Sequence, residues 1–448
     1  MGSKIYMNRY RYHPNQNIGD ENIVSKISFS TKILLFLAFS LIFRITLLIR
    51  KRSDDDFAVI DSLAMLEIAI VGLIVVILLL SPYLSTIVSR ISKSSASILF
   101  IYSLISIFSA LWSPLPSYSL FRAVQVTSQL LVIFVVLYEF GSFSSAENFV
   151  LRVSTFLMLI NLLGQFKLIG YQFYLPLLHS NTYSNSAAMI FCYCFHEYFI
   201  STNEDKKKYR NYALIGLFGI IIGTSATSNI SVLISLLFTR FILYRNLSIG
   251  TFIFSLIMIV SMLSFSKNLL DSKVSDIILA GKDPEAVSTM SGRMHIWTTY
   301  MDVAKERPIL GHGFAIATRV GTFRVNTAHN VFLAIALDLG LVGLCLFLWG
   351  AQRLARECMR PEPQPTKGRL GVLSVFIAAL IACQSTPFIA TQWHAPNAVF
   401  ALFLALHTLY LWSPAPEAVS ASLPARPLRQ RLVRDVRSRR FSQPLIKS

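Results

Sequence analysis

The chain has 448 residues, 54% hydrophobic and 14% charged, with mean hydropathy +0.57 and formal net charge +18. That is too apolar for a soluble domain and points to a polytopic membrane protein. The alternating strands of a membrane barrel are absent. The five Cys suggest neither a disulfide framework nor a thiolate zinc site, since four lie inside apolar runs and Cys358 in a basic loop.

Residues 1–32 read as a polar N-terminal segment on the cytoplasmic side. The opening MGSKIY lacks the Ser or Thr that N-myristoylation needs at Tyr6. The first apolar run begins near Ile33 with no small-residue cleavage signal after it, so the first span reads as a retained anchor. Hydropathy then predicts an all-α polytopic bundle of about twelve spans: 33–49, 57–80, 97–112, 120–138, 149–169, 183–200, 210–224, 229–245, 249–266, 329–349, 369–389 and 395–412. The seventh and eighth are either two helices meeting at the polar break GTSATSN (223–229) or one long broken helix. The transmembrane domain is 33–412, and 413–448 reads as a disordered, Arg-rich cytoplasmic tail.

Lys and Arg orient the bundle. Arg90 and Lys93, Lys206 to Lys208 with Arg210, Arg240 and Arg245, and Arg353 to Arg369 all fall on one side with both termini. The long 267–328 loop, expected to hold short helices, therefore faces outward, which is the periplasm in a bacterium with two membranes. Topology and attraction to anionic lipid account for most of the net charge. No folded basic module suggests a nucleic-acid partner.

The chemistry concentrates between Ser291 and Asn330. Ser291 reads as the N-cap of a helix over 292–306, with Met294, Trp297, Met301 and Ala304 at helical spacing and Pro308 as its stop. The spacing predicts an amphipathic helix at the membrane surface with Trp297 at headgroup depth. Arg293 in its first turn opposes the helix dipole. Two readings fit: a phosphate or pyrophosphate ligand, or an Arg snorkelling to lipid phosphates. Gly311-His312-Gly313 forms a tight turn. Thr327 reads as the N-cap of the tenth span, which puts His329 in its first turn, where the dipole favours neutral imidazole. His329 is then either a general base or a capping residue. His295, His312 and His329 are 17 residues apart, not a ligand spacing on one helix, so no metal or cofactor is expected.

Elsewhere on the outer face, Arg122 begins the fourth span, and it either faces the site or anchors the helix end. His179, Asn181 and Asn185 either meet sugar hydroxyls or form a polar helix start. Glu67 and Asp338 are acids inside spans. Asp338 lies nine residues below His329, about 13 Å along a helix, so a structural role is expected for it.

SGR…W (Ser291–Trp297), P-x-x-G-x-G (Pro308–Gly313), His329-Asn330 and D-x-G-x-x-G (Asp338–Gly343) occur in an order that resembles the O-antigen ligase and O-antigen polymerase superfamily. ALWSPLPSYSLFRA (Ala110–Ala123) is similar to that family's earlier outer loop. The resemblance implies a metal-independent, inverting membrane glycosyltransferase. Its donor would be a glycan on undecaprenyl pyrophosphate, and its acceptor a sugar of the lipid A core or, in a polymerase, another repeat unit. His329 would be catalytic and Arg293 would hold pyrophosphate. Asn330, His312 and Asn181 are the candidate acceptor contacts. Where the family commonly carries Ser/Thr-Arg, this chain reads Ser225–Ser231 without Arg. Arg122, Arg319, Arg324 and Lys167 are the candidate replacements. A twelve-span transporter or glycolipid flippase is the alternative of another class, but its repeated six-span halves are not seen.

Overall fold

A computed structural model describes residues 28–43, 61–163, 180–223, 225–244, 293–316, 328–360, 367–384, 388–389 and 395–412. The described residues are helical, with turns between them and no strands. In chain order the helices are α1 (Phe29–Phe43), α2 (Ser62–Leu79), α3 (Leu84–Lys93), α4 (Ala96–Phe108), α5 (Pro116–Tyr138), α6 (Phe143–Leu163) and α7 (Ser180–Ile200). They continue with α8 (Asn203–Gly223), α9 (Ala226–Tyr244), α10 (Arg293–Glu306), α11 (Val331–Cys358), α12 (Arg369–Ala382) and α13 (Ala395–Leu406). A 3₁₀ turn, Ser109–Leu111, extends α4, and a π turn, His407–Leu411, extends α13.

Eleven of the expected spans overlap described helices, and the ninth, 249–266, lies outside the described residues. Among the described residues, four helices, α2, α5, α6 and α11, are long and apolar enough to cross a membrane. They become five if α3 and α4, bent by 110°, form one span. The described residues are those of a multi-pass, all-helical membrane protein. The break at 223–229 separates two helices, with α8 ending at Gly223 and α9 beginning at Ala226. The short helix α3 was not expected. Its Ile87 and Ile91 are buried, and Arg90 Nη1 donates to the Leu409 carbonyl at the end of α13 (2.7 Å).

Local signals account for several boundaries. Asp61 caps α2 by accepting from the Ala64 amide at 2.8 Å. Pro116 begins α5, where its missing N–H has no helical partner to lose. Glu204 and Asp205 in the first turn of α8 complement its dipole. At the centre, α7 packs against α6, α8, α9, α12 and α13. Its buried Ser184, Ser186, Ala187 and Ala188 are small enough to let neighbouring backbones approach, the usual basis of helix packing in a membrane.

Two buried carboxylates tie helices together at one end of the bundle. Glu147 of α6 is fully buried and accepts from Tyr193 Oη (2.6 Å), Tyr209 Oη (2.8 Å) and Lys208 Nζ (2.8 Å). Glu357, near the end of α11, accepts from the Ser95 amide (3.0 Å) and Arg353 Nε (3.3 Å) and lies 3.4 Å from His407 Nε2. Lys367 reaches Asp205 at 2.8 Å beside the first of these groups. Asn330 caps the start of α11 and Glu357 lies near its end, so the two mark opposite ends of that element.

Candidate functional site

The predicted tenth span is not one continuous helix. α11 breaks at Gly340, which has φ 62° and ψ −156°. The break leaves the carbonyls of Leu337 and Asp338, and the amides of Leu341 and Val342, without the partners a continuous helix would supply. The 308–313 loop takes all four. His312 N donates to Leu337 O (2.8 Å) and Gly313 N to Asp338 O (2.9 Å), while Leu341 N donates to Pro308 O (2.8 Å) and Val342 N to Ile309 O (3.2 Å). P-x-x-G-x-G and D-x-G-x-x-G are therefore two halves of one joint. Asp338, 7% exposed, sits at the break.

The loop is also fixed from its other side. Phe314 N donates to Ser109 Oγ (2.9 Å), and Ser119 Oγ donates to Phe314 O (3.0 Å) and lies 2.8 Å from Ser113 Oγ. A Cβ on Gly313 would lie 2.6 Å from that of Ser113, so only glycine admits this approach. Phe314 forms part of the lining of a cavity of about 60 Å³ between α4, α5 and α13, which Tyr102, Thr127, Phe388 and Asn397 also line.

The start of α11 differs from the expectation. Thr327 lies outside the described residues, and the N-cap is Asn330, whose Oδ1 accepts from the Leu333 amide at 3.1 Å. Its extended backbone and short amide side chain fit the capping geometry. Val331 N donates to Cys383 O (3.0 Å), and Asn330 Nδ2 lies 3.3 Å from Gln384 Oε1. His329 is consequently not in the first turn. It is the half-buried residue before the cap, with φ 52°. A non-glycine residue in that region is strained by about 1–3 kcal/mol, and such strain concentrates at functional sites.

α10 runs Arg293–Glu306, and Ser291 and Gly292 lie outside the described residues. The Trp297 indole N–H donates to the carbonyl of Ala328, the residue before His329, at 3.0 Å. Around that bond, buried Tyr300, Ala328, Ala334 and Leu337 join α10 to α11. A buried carbonyl just ahead of a helix needs a donor, and the indole supplies one. Arg293 opens α10, one turn before Trp297.

The other candidate residues are spread over different walls. His312 is 3% exposed and its Nε2 lies 3.0 Å from the Val303 carbonyl; since a carbonyl only accepts, Nε2 carries the proton. Arg122 lies one turn past Ser119 on α5. Its Nη1 donates to Gln125 Oε1 (2.8 Å), the guanidinium lies over Tyr118 and Phe121, and Glu67 of α2 is within Coulombic reach. Asn181 is in the first turn of α7, one turn before Asn185, which accepts from Ser228 Oγ at 2.6 Å. Asn181 is thus on the wall that carries the Arg-less Ser225–Ser231 stretch. Arg319, Arg324, His179 and Lys167 lie outside the described residues. Sequence reasoning missed the seam of Ser109, Ser113 and Ser119, and Gln384 at the end of α12. No local pattern marks either, because their partners are distant in the chain.

Residues 212–348 match the family model described as O-antigen ligase. The match runs from α8 to beyond the break in α11 and includes α10, the 308–313 loop and His329. No curated protein matches the chain.

Proposed function

We propose that the chain, which matches the family model described as O-antigen ligase over residues 212–348, is a member of that superfamily and transfers a glycan from undecaprenyl pyrophosphate to a sugar of the lipid A core, without a metal and with inversion. The observation that carries this reading is the union of α10 with the turn before α11. Trp297 on Ala328 O joins the helix that begins at Arg293 to the strained residue His329. His329 takes the proton of the acceptor hydroxyl. The hydroxyl oxygen attacks the anomeric carbon, the bond to pyrophosphate breaks, and Arg293 balances the charge that develops on the leaving group. The N-terminus of α11 favours neutral imidazole and anionic phosphate nearby. Arg122, Arg319 and Arg324 are the further cations proposed for pyrophosphate, and Asn330, His312 and Asn181 the acceptor contacts. We place the protein in the inner membrane with twelve spans, both termini cytoplasmic, and this site facing the periplasm.

The test uses the full chain in vesicles with a lipid-linked glycan donor and a core-sugar acceptor. His329→Ala and Arg293→Ala are each expected to lower transfer by roughly 10²-fold or more. Full activity in both variants would sink the proposal. A strain lacking the protein should accumulate unattached, polymerised glycan, whereas single repeat units would make it a polymerase of the same superfamily.

A further inference from the structure

The exposed apolar residues of α4 make a single stripe. Ile101, Leu104, Phe108 and Leu111 follow one another at helical spacing, and exposure rises to 84% at Leu111. α11 packs against α4 and carries exposed Leu341 and Leu348. Both helices belong to segments apolar enough to cross a membrane, so this face is turned to lipid. The stripe does not stop where α4 ends. Ile309 and Leu310, 64% and 45% exposed, are tied to it by Trp112 Nε1 on Leu310 O (3.0 Å) and Arg307 Nη1 on Trp112 O (3.0 Å).

The carbonyls of this exposed tip have donors within the protein. Four consecutive carbonyls have donors from the protein: Arg307 O from Gly311 N (3.0 Å), Pro308 O from Leu341 N (2.8 Å), Ile309 O from Val342 N (3.2 Å) and Leu310 O from the Trp112 indole. A loop in water has no need of this, because water supplies the donors. A loop in hydrocarbon does need it.

We propose that Leu111, Ile309 and Leu310 form a lip inserted into the membrane leaflet on the His329 side, with bilayer lipid as its occupant. Trp112 and the exposed guanidinium of Arg307 lie at the level of the phosphate headgroups, where an amphipathic ring and a cation are favoured. The other side of the same loop holds the joint at Gly340, so the lip sets the depth of the joint in the bilayer. The inference rests on the membrane embedding of α4 and α11 and is independent of glycan transfer.

The test places a nitroxide at Ile309→Cys and, separately, at Leu111→Cys in the full chain, with the exposed Cys345 changed to Ser. The protein is reconstituted in vesicles of phosphatidylcholine and phosphatidylglycerol. Both native side chains are exposed, so neither label displaces packing, and Leu310→Cys is a third position. Power-saturation spectra should show collisions with oxygen several-fold above those with a water-soluble nickel chelate, as at Leu104→Cys on the stripe. Nickel collisions that dominate, as at the exposed Lys305→Cys, overturn the proposal. Weak collisions with both, the mark of a covering protein or second copy, overturn it too.

Discussion

Gly311 and Gly340 meet backbone to backbone across the break in α11. A Cβ on Gly340 would overlap the Ile309 carbonyl and lie 2.7 Å from Gly311 N, and one on Gly311 would lie 2.5 Å from Asp338 O. Both have positive φ, 62° and 66°. Two constraints, space and dihedral, coincide at each position.

Gly340→Ala and Gly311→Ala should each destabilise the folded protein by about 2–4 kcal/mol, since strain at positive φ adds to a clash with backbone that has no rotamer to yield. The control is Gly72→Ala in α2, where nothing lies within 4 Å. That change is expected to be neutral or to stabilise by about 0.5–1 kcal/mol. Thermal unfolding in detergent, followed by intrinsic fluorescence, reads all three. Equal midpoints for Gly340→Ala and Gly72→Ala would contradict the joint.

Trp297→Phe keeps an aromatic ring at the α10–α11 contact and removes the donor to Ala328 O. The protein should stay folded, while kcat for glycan transfer falls about tenfold and KM for the donor stays near its original value. A donor lost from an otherwise intact contact is worth about 1–1.5 kcal/mol, close to one decade in rate. Unchanged kcat, measured beside an inactive His329→Ala control, means the indole does not position His329.

Glu147→Gln should destabilise by about 3 kcal/mol, because Lys208 at 2.8 Å, 21% exposed, loses its buried counter-charge while two tyrosine hydroxyls keep only a neutral acceptor. Its effect on transfer per folded molecule should be small, since Glu147 is at the end of the bundle away from Asn330. Thermal unfolding and transfer assays on the same sample separate the two. A folded, stable but inactive Glu147→Gln would place this network in the mechanism.

Lys367 and Asp205 make a pH-dependent tie outside the spans. Burial works against both charges, but the carboxylates of Glu147 and Asp205 hold the Lys367 ammonium above its usual value, and the hydrogen bond and charge of Lys367 hold Asp205 below its own. A depressed carboxylate stabilises above its unfolded value, about pH 4, and loses that contribution as pH falls through the folded value. A raised ammonium stabilises below its unfolded value, about pH 10.4, and loses it as pH rises through the folded one. The pair should therefore contribute evenly from about pH 5 to 10. With Asp205 41% exposed, the contribution is discounted to about 0.5 kcal/mol. Lys367→Met should lower the thermal midpoint across that window and flatten its fall at acid pH; an unchanged acid limb argues against the pair.

The amino-acid sequence alone marked where helices form. Eleven predicted spans overlap helices because apolar runs are local properties of the chain. It also marked which short motifs belong to the candidate site, since glycines, His329 and Arg293 stand out against an apolar background. Tertiary structure alone decided how those motifs combine. Pro308–Gly313 fills the break at Gly340 because four backbone groups released there find partners some 30 residues away, and no periodicity encodes such a pairing. The N-cap moved from Thr327 to Asn330 because Cys383 O and Gln384 hold the start of α11 from a neighbouring helix end. Trp297 met Ala328 O, 31 residues on, because a buried carbonyl needed its N–H. The helices followed from local hydropathy, whereas the joint and the strained His329 depended on backbone groups brought close only by packing.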